Sequence, residues 1–146
     1  MKLAYLVLTF VVGLVLALHF SMNAAVGKIT ENVRMGNAVF WLIGAGMATV
    51  IGLSGWQGQF LIRVREVPVG LWFAGVIGAC LVCVIVALIP RLGAGTTNVI
   101  LLAGQVIGGI IIAHFGLLGS PTVAITPVRV VGVVVMITGA SIVVLV

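Results

Sequence analysis

Aspartate is absent from the sequence, and the acidic residues are only two, Glu31 and Glu66. Seven bases and two acids make 6% of 146 residues charged, far below the quarter or so that coats a soluble domain. A soluble globular fold is excluded. Without aspartate no Ser-His-Asp triad can be assembled. No glycine run is followed by Lys and Ser/Thr in the order a phosphate-cradling loop needs. Neither acid falls within a long apolar run, so the interior has no carboxylate to exchange a proton for a cationic drug. Cysteine is limited to Cys80 and Cys83, a CxxC spacing in the middle of an apolar stretch, and zinc would need two more soft ligands beside them. These cysteines read as small packing residues. The expectation is a protein that is not an enzyme and has no metal and no cofactor.

What is abundant is hydrocarbon. Hydrophobic residues make up 63% of the chain and the mean hydropathy is +1.45. They fall in five runs, at about residues 3–22, 36–54, 69–89, 96–115 and 130–146. Each run suits the 20 or so residues that cross about 30 Å of bilayer. Barrel strands are excluded because apolar and polar residues do not alternate. The reading is an all-α integral membrane protein, with residues 1–146 as one transmembrane domain of five helices and no room for an extramembrane catalytic domain. Its place is a lipid bilayer. The first run follows Lys2 as a signal peptide might, but it exceeds the usual apolar length and more membrane follows, so it reads as a retained span. The links GKITENVRM, WQGQFLIRVREVP, PRLG and FGLLGSPTVAITP are short, so successive helices should pack antiparallel. Trp56 and Trp72 stand where an interfacial aromatic belt would place them.

All nine charges lie between the runs. Side A, the face of the N-terminus, carries Lys2, Arg63, Arg65 and Arg129; side B carries Lys28, Arg34 and Arg91. Orientation follows the Lys and Arg bias of short links, and four against three sets almost none. The chain can insert both ways, and two opposed copies would make an antiparallel dimer, the two-chain equivalent of an inverted repeat with a site at the midplane. The isoelectric point near 10.3 does not signal nucleic acid, because the bases are scattered singly with no basic patch; they face lipid headgroups.

Small residues recur at helical spacing: Gly13, Ala17 and Ser21; Gly44, Ala48 and Gly52; Gly75 and Gly78; Gly104 and Gly108; Gly132 and Gly139. Such stripes let helix backbones approach closely where lipid gives no hydrophobic drive. Polar residues inside the spans are few and are functional candidates by default. His19 and Asn23, four apart, share a face of the first span, and Asn98 and Gln105, seven apart, share a face of the fourth. Each has a plainer alternative: Asn23 as a cap at the helix exit, Asn98 as a cap or an interhelical bond, Gln105 as interhelical glue, and His19 and His114 as interfacial histidines. Histidine is the residue type that ordinarily changes charge near neutral pH, which makes His19 the one candidate for proton coupling.

The segments HFSMNAAVGK at 19–28 with its Gly-rich second span, PRLGAGTTNVILLAGQVIGGIIIAHFGLLG at 90–119, and RVVGVVVMITG at 129–139 resemble the YdcZ-like proteins, the short five-span branch of the drug/metabolite transporter (DMT) superfamily. The resemblance covers nearly the whole chain, and the PRLG…AGQ…HFG string is its most specific part. It implies an all-helical half-transporter that works as an antiparallel (inverted) dimer of ten helices, with dual-topology single chains, opposed pairs or fused ten-span proteins among relatives. This chain departs where the family tends to have Gln, at His19, and where it tends to have an acid before HFG, at Ala113. A carboxylate-dependent coupling is lost with that acid, and His19 offers a replacement.

The function expected is a secondary transporter of a small polar or amphipathic metabolite, working by alternating access in an antiparallel homodimer. His19, Asn23, Asn98 and Gln105 would line the cavity, with Trp41 or Trp72 as an aromatic wall. The rival reading is a non-transporting accessory or structural membrane subunit whose glycine stripes bind a partner protein. A membrane redox enzyme using Cys80 and Cys83 is a remote third.

Overall fold

The computed structural model describes residues 2–145, and they are helical almost throughout. Six α-helices follow in order: α1 (Lys2–Ile29), α2 (Val33–Ser54), α3 (Phe60–Glu66), α4 (Val69–Leu92), α5 (Ala94–Phe115) and α6 (Pro127–Leu145), with one 3₁₀ turn at Leu117–Gly119. Five of them, all but α3, are long and apolar enough to cross a membrane. The chain is an all-helical, multi-pass membrane protein.

The helices outrun the apolar runs, for identifiable reasons. α1 continues from Met22 to Ile29, because no breaker intervenes until Thr30 and Glu31. At 28 residues it is about 42 Å long, more than the hydrocarbon thickness, so it either tilts or ends in the headgroups. α4 runs through Pro90, whose missing N–H leaves the Val86 carbonyl without its helical donor, to Leu92, and Gly93 at φ +83° ends it. The long link after α2 contains α3, where Arg63 and Arg65 occupy the last turn and Trp56 leans on Phe60 with centroids 5.6 Å apart.

The chain divides into two compact units, the first ending at Arg91 and the second beginning at Leu92. In the first, α1 and α2 form a helical hairpin. Asn32 caps α2, its Oδ1 accepting the Met35 N–H at 3.1 Å. The hairpin closes backbone to backbone: a Cβ on Gly36 would meet Thr30 Oγ1 at 2.9 Å and Gly27 Cα at 3.0 Å. Only glycine fits at that crossing. In the second unit α5 and α6 pack together. Gly116, at φ +62°, caps α5 in the left-handed conformation. The link then doubles back, Val123 N–H donating to Ala113 O at 2.8 Å.

Buried side chains are scarce. Among the described residues they are Phe20, Asn23, Ala24, Asn37, Ile85, Val86 and Thr97, three of the seven polar. In each of the five spans no more than 11% of the apolar stretch is buried. A bilayer can cover apolar flanks, so this exposure is ordinary for leucine and valine, but not for an amide.

Candidate functional site

Two of the buried polar side chains, Asn23 and Asn37, lie together in the α1–α2 hairpin. Asn23 is fully buried and donates Nδ2–H to Asn37 Oδ1 at 2.8 Å. Asn37, in the second turn of α2, is 7% exposed. The pair lies seven residues, or about 10 Å along α1, before the turn at Thr30. Because α1 passes its expected exit, Asn23 is no cap; it faces across the hairpin into α2. Its own Oδ1 is buried and has no hydrogen-bond partner among the described residues. An acceptor shut away from water without a donor costs about 1–3 kcal/mol.

One turn further along, the hairpin changes from amides to rings. His19 is half-buried, with its imidazole edge-on to Phe40 at a centroid distance of 4.9 Å and to Phe20 at 5.6 Å. Trp41 stands one turn beyond Asn37 on α2 and is 39% exposed. His19, Asn23, Asn37, Phe40 and Trp41 therefore belong to one stretch of the hairpin. Trp72 is apart from them, 54% exposed near the start of α4.

Asn98 and Gln105 share α5 but differ in what they meet. Asn98 is half-buried and bonds back to its own helix, Nδ2–H to Ala94 O at 2.7 Å. Among the described residues it makes no bond to another helix. Its neighbour Thr97 is 3% exposed and donates to Gly93 O at 2.8 Å. Gln105 is exposed and makes no side-chain hydrogen bond among the described residues. Two apolar grooves, of about 200 and 380 Å³, run between α5 and α6, lined on α5 by Ile107, Ile110 and Ile111 and by Ile100 and Ala103. Gln105 lines neither. His114, at the end of α5, accepts the Ile125 N–H on Nδ1 at 3.4 Å, fastening the returning link.

Asn37 is the residue that sequence reasoning passed over. It stands next to Gly36 at the head of the second apolar run, an amide beside a glycine, and that signal could have found it. Cys80 is exposed and Cys83 half-buried on α4, both as free thiols. No group of three or more His, Cys, Asp or Glu able to hold a metal occurs among the described residues. What the hairpin offers is hydrogen bonding and one imidazole, which suits recognition of a polar molecule.

No curated protein and no solved structure gives a significant match to the chain. A family model described as "Putative inner membrane exporter, YdcZ" matches residues 4–142, from the first span to the last. Five membrane-capable helices and a match over nearly the full length agree, and the chain belongs to the YdcZ family of inner membrane exporters.

Proposed function

We propose that the chain is half of a secondary transporter that moves a small polar or amphipathic metabolite by alternating access, two copies pairing in opposite orientations as a DMT-type ten-helix assembly. The observation that carries this reading is the orphaned Oδ1 of Asn23. A buried acceptor in a membrane hairpin is a standing cost, and it is removed when a ligand brings an N–H or O–H donor. His19, one turn away on the same face, supplies a group able to take or release a proton as the ligand arrives. Asn98 and Gln105, with Trp41 or Trp72, are the further ligand contacts that the sequence offers.

The pairing is supported by the four-to-three division of bases, which leaves the chain free to insert either way. The test is efflux from proteoliposomes loaded with a mixture of small neutral and zwitterionic metabolites, followed by mass spectrometry. Asn23→Ala should lower efflux of the transported compound about tenfold, the equivalent of one lost hydrogen bond of roughly 1.4 kcal/mol. Unchanged efflux, with helix content intact, removes Asn23 from the site. No efflux of any compound, with a second protein retained through purification, favours the accessory-subunit reading.

A further inference from the structure

We propose that α3 lies along the bilayer surface as an interfacial helix, its apolar side on the acyl chains and Arg63 and Arg65 holding the phosphates of anionic lipid headgroups. The inference rests on residence in the membrane and not on the opposed pairing proposed above.

The neighbours of α3 fix its depth. The link at 55–68 joins two membrane-capable helices, α2 and α4. Glu66 is three residues from Val69, the first residue of α4, so the end of α3 lies within about 11 Å of the start of that helix. A helix tied so closely to the end of a span stays at headgroup level.

Its side chains suit that depth. At about 100° per residue, the mean direction of Phe60, Leu61, Ile62 and Val64 is roughly 170° around α3 from that of Arg63, Arg65 and Glu66. The two arginines flank the apolar side, about 80° and 120° from its centre, while Glu66 stands opposite. Phe60, Leu61 and Ile62 are 49%, 58% and 64% exposed, and no other helix of the same unit packs on α3. Trp56 leans on Phe60 and extends the apolar side with a ring suited to the interface. An amphipathic helix with bases at its polar border seats itself between headgroups and acyl chains.

Charge names the partner. Glu31 and Glu66 are the only acids in the sequence, and residues 92–146 contain none. However the second unit sits, it brings no carboxylate side chain to α3. Glu31 lies beyond the other end of α2, whose 22 residues span about 33 Å. Glu66 can neutralise one guanidinium and not two. Arg63 donates to Gln59 Oε1 at 3.4 Å, which occupies one of its five N–H donors, and Arg65 makes no side-chain hydrogen bond among the described residues. The anion must come from outside the chain. A guanidinium fork matches phosphate oxygens, and phosphates without a neighbouring ammonium are what an anionic leaflet supplies.

The test places a fluorophore on Leu61→Cys in the full chain, with Cys80 and Cys83 replaced by Ala. The liposomes carry the same mixture of phosphatidylcholine and phosphatidylglycerol in both leaflets, so that orientation does not enter. At equal mole fraction, nitroxide-labelled phosphatidylglycerol should quench more strongly than phosphatidylcholine with the same label. That preference should fall by up to about fivefold for each arginine changed to Gln, the equivalent of about 1 kcal/mol per base at an anionic surface. Lys28→Gln with Arg34→Gln removes the same charge from another link and should leave the preference in place. An equal fall in that control would assign the effect to the net charge of the chain and overturn the α3 site. Equal quenching by both lipids in the parent would refute recognition of anionic headgroups. Absence of quenching by either lipid would mean that protein covers the apolar side of α3, and the proposal would fall.

Discussion

Gly36 and Asn37, adjacent in sequence, set the hairpin in two different ways. Gly36 permits contact and Asn37 specifies it. A methyl group at Gly36 would lie 2.9 to 3.1 Å from Thr30 Oγ1 and the Gly27 backbone, where backbone cannot yield. Gly36→Ala should therefore cost about 1–3 kcal/mol, read as a lower unfolding midpoint in detergent. Gly44→Ala, with open space around it, should leave the midpoint of the isolated chain unchanged. Asn37→Leu removes the acceptor of the Asn23 Nδ2–H and leaves a buried amide wholly unpaired, a loss of about 1–3 kcal/mol. Converting Asn23 to Leu as well should recover part of that loss, and a double variant less stable than Asn37→Leu would sink the argument. Sequence spacing alone placed His19 and Asn23 on one face, because four residues make about one turn. It could not supply Asn37 as the partner, since which residue of α2 lies across from Asn23 depends on how closely Gly27 and Gly36 let the helices meet.

Among the elements, the five spans were legible because their lengths answer to bilayer thickness. Their ends were not. Hydropathy reports where a helix stops being apolar; a helix stops being helical only at a conformational break. For α1 that break comes at Glu31, a non-glycine residue at φ 51° whose N–H bonds to Lys28 O at 3.2 Å. The left-handed conformation costs such a residue about 1–2 kcal/mol that glycine avoids. Glu31→Gly should accordingly raise the unfolding midpoint by an amount near 1 kcal/mol, and a fall would show that the Glu31 side chain holds the turn by other means. α3 was hidden for a different reason. Seven residues carry too little periodicity to stand out within a link, and Arg63 and Arg65 gave that segment the look of a topology signal and nothing more.

For the whole molecule, the scarcity of charge governs orientation. Side A holds four bases and side B three, so removing two from α3 reverses the sign of the bias to two against three. Under the opposed pairing proposed above, Arg63→Gln with Arg65→Gln should shift a near-even population towards the inverse orientation. Accessibility of a cysteine at either terminus to an impermeant reagent measures it, and a population already uniform in the parent chain would contradict dual insertion. The sequence by itself determined that this protein lives in the membrane, has five helices able to cross it and belongs with inner membrane exporters, because burial in lipid is an additive property of residues in a row. Only the tertiary structure decided that Asn23 turns to Asn37, that Asn98 folds back on its own helix and that Gln105 faces away from α6. Those outcomes depend on the azimuth and approach of neighbouring helices, and a directional hydrogen bond is made or missed within a fraction of a turn.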